Sequence, residues 1–452
     1  MVFLCVFLPA VFLLTRLTRS IKIQNAILIV MSLLFYAYGE PRYVLLMLVS
    51  VFCNWGFGLL MKNEPKKWVM VLAVILNIGL LFVFKYLDLA VAGLNATGLV
   101  ALKQPHIPLP VGISFFTFQA LSYVIDVYRR QVPAQTSFWR VLLYISLFPQ
   151  LIAGPIVKYH DVEREIEHRT INSRTTALGF RRFSVGLAKK VLISNTMAST
   201  VDVLFAADPS LINMGSAWLA AICYLFQIYF DFSGYSDMAI GLGEIFGFHF
   251  HENFNYPYIS TSIQDFWRRW HISLSTWFRE YLYIPLGGNR KGKTRTYLNK
   301  MIVFLATGLW HGANLTFVLW GVWHGFFILA EDWLHLKKLP KWAGWILTML
   351  IVTVGFVMFR VDTVEQGLLM ISRMFTGVNF TRPALALLYS LLSPILLTAL
   401  AAAAIGSTPI FKQINWNKRL LGLSLAGSYG LILICGLALS AGTYNPFIYF
   451  RF

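Results

Sequence analysis

Apolar runs long enough to cross a membrane recur along the whole chain, and they constrain its fold more than any other feature. The chain has 452 residues, of which 57% are hydrophobic and 13% are charged, whereas soluble domains carry about 25% charged residues. Because a membrane interior offers no water to backbone N–H and C=O groups, a spanning segment must satisfy its own hydrogen bonds, as a helix does. The sequence therefore predicts an all-α, polytopic membrane protein that packs as one domain over residues 1–452.

About eleven spans and one or two partial insertions fit the pattern of apolar runs. The candidate spans lie near residues 2–14, 26–38, 43–60, 68–87, 109–127, 191–206, 216–232, 301–334 with an interruption after 310, 342–361, 384–405 and 421–442. The apolar run 139–156 ends in PQLIAGPI, in which two prolines and a glycine interrupt a helix. We interpret this run as a re-entrant or kinked element, because broken backbone is tolerated at membrane depth only inside protein or beside a cavity.

The distribution of cations predicts the orientation in the membrane. Arg16, Arg19 and Lys22 follow the first apolar run rather than precede it, so the positive-inside rule places the N-terminus outside the cell membrane. The net charge of +18 is explained by Lys and Arg in cytoplasmic loops. These cations flank apolar runs and form no separate basic domain, which argues against nucleic-acid binding.

Residues 265–300 form the most strongly basic stretch, with eight Lys or Arg against two acids and with aromatic residues between them. We expect it to face the cytoplasm and to meet an anionic ligand there. Within it, PLGGNRKGK at 285–293 contributes Arg290, Lys291 and Lys293. Backbone amides in such a glycine-rich turn could bind phosphate, and a simple cytoplasmic turn explains the same residues equally well.

Three histidines lie in or beside apolar sequence. His311, in GLWHGAN, is an ionisable group at membrane depth and is a functional-site hypothesis by default. It could act as a general base or form an interhelical hydrogen bond. His271, in RRWHISLS, could orient a substrate or cap a helix. His324 follows His311 by thirteen residues, which is about 140° round a continuous helix, so we interpret His324 as structural.

Two carboxylates, Asp231 and Asp237, lie in YFDFSGYSDMAIG, a segment otherwise suited to lipid. They could couple ions or protons in a transporter, or form structural hydrogen bonds around a reaction chamber. The sequence contains no GxSxG or GxGxxG motif. Its four cysteines are scattered and show no metal-binding spacing, so no metal site and no bound cofactor are predicted.

Long motifs in the chain closely resemble the membrane-bound O-acyltransferase family. They are FDFSGYSDMAIGLGEIFGF, NFNYPYISTSIQDFWRRWHISLSTWFREYLYIPLGGNR and GLWHGANLTFVLWGVWHG. Within the family they are similar to the bacterial branch of alginate O-acetyltransferase membrane subunits, and more distantly to teichoic acid D-alanyl transfer proteins. The resemblance extends over about residues 108–330, with little family signal in the last 90 residues.

The resemblance implies a helical protein around a tunnel, in which an acyl group moves from a cytoplasmic thioester to an acceptor hydroxyl. By its motif position His311 is the base, and His271 supports or orients. Asp265 and Arg268 would shape the donor entrance. The branch implies delivery to an extracellular polysaccharide with an extracytoplasmic partner, an SGNH-type acetyltransferase or another polysaccharide-modifying enzyme.

The basic stretch 265–300 makes acetyl-CoA the expected donor, because its cations suit a phosphate-bearing molecule. An acyl carrier protein would suit the same surface through its acidic face. Two alternatives from other classes stay open at this point. One is a transporter or flippase that uses Asp231 and Asp237, and the other is a non-catalytic scaffold for a secreted acetyltransferase.

Overall fold

Every regular element in the described part of the chain is helical, which confirms the all-α prediction. The structure is a computed structural model that describes residues 1–413 and 418–442. The chain divides into two compact units, the first made of residues 1–183 and 238–251, the second of residues 184–237 and those from 252 onward. The single domain expected over 1–452 stays a prediction.

The first unit contains long apolar helices that pack against one another, together with several short helices. Its helices are α1 (Leu8–Arg16), α2 (Ile21–Gly39), α3 (Tyr43–Leu60), α4 (Lys67–Leu81), α5 (Leu87–Ala96), α6 (Ile113–Tyr128), α7 (Phe138–Ser146), α8 (Phe148–Leu151), α9 (Tyr159–Glu167) and most of α10 (Ser173–Ala188). The run 139–156 is interrupted first at Leu147, between α7 and α8, and it is no longer helical after Leu151. The broken element expected at PQLIAGPI is therefore present, with its first break two residues before Pro149.

The second unit contains the histidine motifs. Its helices are α11 (Asn195–Ala206), most of α12 (Met214–Phe246), α13 (Ile263–Arg269), α14 (Ile272–Phe278), α15 (Gly292–His311), α16 (Leu315–Trp333), α17 (Lys341–Arg360), α18 (Val364–Thr376), α19 (Arg382–Leu391), α20 (Pro394–Gly406) and α21 (Lys418–Ala441). Its core is rich in aromatic rings: Trp270 lies 5.5 Å from Phe266 and 5.1 Å from Phe356, centroid to centroid.

By length and composition, five helices in the described residues could cross a membrane: Ile21–Gly39, Tyr43–Leu60, Lys67–Ala96, Lys341–Arg360 and Gly422–Ala441. Together α19 and α20 are also long and apolar enough, but they meet at an angle of 64°. Counting them as one broken span gives a sixth. The single span expected over 384–405 is therefore two helices. Both begin with proline in their first turn, where its missing N–H leaves no intrahelical bond unmade. The count of about eleven spans and the tunnel stay predictions.

The two aspartates of α12 are both paired with lysines of the second unit. Lys190 Nζ lies 2.5 Å from Asp231 Oδ1, with the two side chains 7% and 1% exposed. Lys189 Nζ lies 2.6 Å from Asp237 Oδ2, with exposures of 23% and 18%. These ion pairs explain why two carboxylates lie in an apolar helix. No ion-coupling role is needed for that explanation.

A close helix contact brings these lysines to α12. A Cβ atom added at Gly234 would lie 2.7 Å from the carbonyl oxygen of Gly186, so only glycine fits there. Directly after α10 the backbone forms a π-helical turn, Lys189–Ser194. Such a turn inserts an extra residue into the helix, and in this chain it carries both lysines.

The buried pair yields a stability prediction. Asp231→Asn removes the carboxylate that neutralises the buried Lys190 charge, and breaking a buried pair in this way costs about 3–5 kcal/mol. We expect a clear fall in the thermal unfolding temperature of the purified protein. The double variant Lys190→Met/Asp231→Leu removes both charges and should recover most of the loss.

Asp237→Asn is the matched control, because its more exposed pair should give a smaller fall. The double variant should also keep the acyl transfer that the family resemblance implies. A double variant that is stable and correctly inserted but inactive would contradict the structural interpretation and show that the pair takes part in acyl transfer.

Candidate functional site

A cavity of about 260 Å³ in the second unit brings His271 and His311 together. Its lining comes chiefly from α13, α14 and α15, with the π-helical turn Arg279–Tyr283 that follows α14. The two histidines lie forty residues apart in the sequence, so only the fold places them beside one space. The volume is below the roughly 300–1,000 Å³ of drug-sized ligand sites, so the cavity suits a small group.

His311 is the last residue of α15 and is 6% exposed. Close packing of α15 against α16 holds it there. A Cβ atom at Gly321 would lie 2.6 Å from the carbonyl oxygen of Phe304, and Gly308 meets the backbone of α16 in the same way. Glycines at such a contact let two helices approach more closely than larger side chains would allow.

Aromatic rings enclose the imidazole of His311. The ring centroids of Trp310, Trp320 and Phe359 lie 4.9, 5.3 and 5.0 Å from it. These rings leave the imidazole little contact with solvent, and its residue is only 6% exposed. A neutral ring has a lone pair on one nitrogen and can therefore accept a proton.

The helix does not continue past His311. Residues 312–314 separate α15 from α16, and the side chain of Asn314 caps α16 by accepting the N–H of Thr316 at 3.2 Å. His311 and His324 therefore lie on two separate helices, and the angle of about 140° expected for one continuous helix does not apply to them. His324 still lies outside the cavity lining, fully buried between Trp267 and Trp320.

His271 lies at the junction of α13 and α14 and is 2% exposed. Its backbone is left-handed, with φ 44°, a strained conformation for a residue other than glycine and one often found at functional sites. Its Nδ1 lies 3.1 Å from Oδ1 of Asn253. Burial lowers the pKa of His271 to about 3, so the ring is neutral at physiological pH.

Cations line the same cavity. Arg268 and Arg279 are exposed, and Lys300 is half-buried, so positive charge lies toward solvent while the two imidazoles lie at depth. Lys300 Nζ pairs with Asp332 at 2.7 Å. The arrangement suits a ligand with an anionic part at the exposed end and a reactive part inside, because guanidinium groups bind phosphate oxygens well.

Three predicted residues, His271, His311 and Arg268, thus come together at the cavity. The other predicted site residues do not line it: Asp265, Arg290, Lys291 and Lys293. Asp265 instead pairs with Arg269, whose Nε lies 3.0 Å from both carboxylate oxygens. The cations at 290, 291 and 293 are all exposed. The first two lie in the turn before α15, and the third lies in the first turn of α15. Their roles in donor binding stay predictions.

Sequence reasoning missed Arg279, Lys300 and Asn253 as individual site residues. The first two belong to the basic stretch 265–300 but carry no signal that separates them from its other cations. Asn253 opens the motif NFNYPY. Its contact with a residue eighteen positions later depends on a turn that no periodicity indicates.

The chain is similar to known proteins over most of its length. Residues 128–360 match the model of the membrane-bound O-acyltransferase family. A probable alginate O-acetylase AlgI of Pseudomonas aeruginosa is 42% identical over 388 residues, which cover 83% of this chain and 74% of the relative. A peptidoglycan O-acetyltransferase of Helicobacter pylori is 36% identical, with 83% and 79% covered.

A teichoic acid D-alanyltransferase of Bacillus subtilis is more distant, at 27% identity over 57% of this chain and 70% of the relative. All three relatives are named for moving an acyl group onto a cell-surface polymer. The resemblance read from the motifs is confirmed, and with it the expectation of a multi-pass membrane acyltransferase. The chain belongs to the membrane-bound O-acyltransferase family.

Proposed function

We propose that this protein transfers an acetyl or other short acyl group from a cytoplasmic thioester to hydroxyls of an extracellular polysaccharide, alginate or a comparable polymer. One observation carries the proposal: two buried histidines share a small cavity whose exposed end carries arginines. Relatives named as acetylases of alginate and peptidoglycan support the acceptor class. The size of the cavity supports a short acyl group.

The proposed donor is acetyl-CoA, with an acyl carrier protein as the other source of a thioester. Arg268 and Arg279 at the exposed end would bind the phosphates of coenzyme A through charge-assisted hydrogen bonds. The thioester would then reach inward to the imidazoles. This orientation requires residues 265–300 to face the cytoplasm. The positive-inside rule, which favours that placement, also places the N-terminus outside the cell membrane.

The proposed step moves one proton and exchanges one bond. His311 accepts the proton of the attacking hydroxyl as its oxygen forms a bond to the thioester carbonyl carbon. The carbon–sulfur bond then breaks, and the proton passes from His311 to the leaving thiolate. His271 orients the reacting groups, and the apolar rings around His311 keep water, the competing nucleophile, away.

The hydroxyl that attacks belongs either to the polysaccharide or to an extracytoplasmic partner that carries the acyl group onward. An SGNH-type acetyltransferase is the partner we propose, because its serine hydroxyl has the required chemistry. In the transporter and scaffold alternatives the two histidines would have no reactive role. The lysine partners of Asp231 and Asp237 also weaken the transporter alternative.

The first functional prediction concerns His311. His311→Ala should lower thioester cleavage by the purified protein about 10²–10⁴-fold, the range that a positioned general base contributes. Alanine is the best helix former, so α15 should persist, and the thermal unfolding temperature reports whether it does. The O-acyl content of the cell-surface polysaccharide should fall in parallel.

His324→Leu is the matched control. This histidine is also buried, but neither of its ring nitrogens has a hydrogen-bond partner within the described chain. An apolar side chain of similar size should therefore cost little stability and leave transfer intact. Normal transfer by a well-expressed His311→Ala protein would show that another group is the base.

The second functional prediction concerns the exposed cations at 290, 291 and 293. Neutralising all three to glutamine should raise KM for acetyl-CoA and weaken the salt dependence of KM. Exposed charges are screened within about 8 Å at physiological ionic strength, so docking at this surface must respond to added salt.

The control is the triple glutamine variant of Lys62, Lys66 and Lys67, which are also exposed and change the net charge by the same amount. Arg268→Gln tests the mouth of the cavity separately. If only Arg268→Gln raises KM, the donor docks at the cavity mouth, and the three outer cations serve membrane orientation alone.

A further inference from the structure

Asn253 lies where two segments of the second unit pair through their backbones. Ile272 N donates to the carbonyl oxygen of Asn253, and Asn255 N donates to that of Arg269, each at 2.9 Å. The side chain of Asn253 is completely buried. This short pairing holds the left-handed backbone of His271 in place and puts the carboxamide of Asn253 beside the imidazole.

The orientation of this carboxamide is determined on both sides. Oδ1 lies 3.2 Å from the backbone N of Ser273 and 2.9 Å from its Oγ. Because a backbone N–H can only donate, the amide atom that faces it must be the oxygen. The amide nitrogen, Nδ2, donates to Ser236 Oγ at 3.1 Å. A flipped amide would lose the bond to Ser273 N, so the hydrogen bonds themselves fix which atom of the amide is oxygen and which is nitrogen.

The same oxygen faces Nδ1 of His271 at 3.1 Å. A carbonyl oxygen only accepts, so Nδ1 must carry a proton. The ring is 2% exposed and shares its cavity with cations, and both conditions disfavour a second proton. We infer that Asn253 is a positioning residue that holds His271 as the Nδ1–H tautomer, so that Nε2 carries the lone pair.

This inference narrows the role of His271 in the proposed function, on which it rests. Any hydrogen bond between the ring and a reactant in the cavity runs through Nε2, which accepts. His271 therefore orients a reactant by accepting a hydrogen bond from it, and removal of the proton from the attacking hydroxyl stays with His311. His271 does not donate a hydrogen bond to the thioester carbonyl oxygen, and other groups must stabilise the charge that develops there.

A purely structural role is the alternative, because Asn253 also caps α14. His271 occupies the N-cap position but makes no side-chain cap bond, and Asn253 Oδ1 accepts the N–H of Ser273 in its place. Losing a helix cap lowers stability, whereas losing the tautomer changes which ring nitrogen of His271 carries the proton. Measuring the protonation of the two ring nitrogens therefore separates the two roles.

The direct test is solid-state NMR of the full chain with ¹⁵N-labelled histidine, in lipid. The His271 signals are assigned by their loss in His271→Asn, because asparagine tolerates the left-handed backbone. We expect a protonated Nδ1 and an unprotonated Nε2 in the wild-type protein, and a change of tautomer or a mixture in Asn253→Ala. A wild-type ring protonated on Nε2 would overturn the inference whatever the protein's activity.

The kinetic test uses rescue. Asn253→Ala should lower kcat about 10²-fold, the loss that misplacing a reactant can cause, with KM for acetyl-CoA little changed. Asn253→Asp keeps an acceptor toward Nδ1, and the Ser236 hydroxyl can turn to donate, so this variant should recover most of the rate. Asn255→Ala changes an exposed amide in the same loop and is the matched control.

If Asn253→Asp and Asn253→Ala lose equal activity in step with equal losses of thermal stability, Asn253 is only a cap and the inference is wrong. Failure of the proposed function looks different. In that case the wild-type protein cleaves no thioester, while the NMR result for the tautomer stands unaffected.

Discussion

The packing of α15 against α16 is the contact on which the candidate site depends. Glycines 308 and 321 let the two backbones touch, and the chain turns between the helices at residues 312–314. Because the turn follows directly after His311, this histidine stays at the end of its helix rather than on a continuous helical face. From that position its ring meets Trp320 of α16 and Phe359 of α17, so three helices define its surroundings.

Charged groups in the apolar parts of this protein serve two different purposes. Lys190 and Asp231 neutralise each other in a buried pair, which joins the π-helical turn after α10 to α12. Arg268 and Arg279 are instead exposed at the cavity, and Arg279 pairs at the surface with Glu280 at 3.3 Å. Ionisable residues at membrane depth are functional candidates by default, and burial together with a counter-charge distinguishes the Lys190–Asp231 pair from these solvent-facing cations.

Much of the fold and part of the site could be predicted from sequence, for identifiable reasons. Apolar composition specifies helices because the membrane permits little else, and His311 stands out because imidazoles are rare in such sequence. The angle of 64° between α19 and α20 was missed, because the apolar run 384–405 hides the break at residues 392–393. Asn253 was missed because its role depends on a non-local backbone pairing.

The most direct test of the account is whether the purified protein, in lipid nanodiscs, releases free thiol from acetyl-CoA when a hydroxyl acceptor is added. The account predicts release of one thiol for each acetyl group found on the acceptor, because the cavity with His271 and His311 performs the transfer itself. A well-folded protein that releases no thiol and acetylates no acceptor would contradict it, and would leave the chain as a transporter or a scaffold.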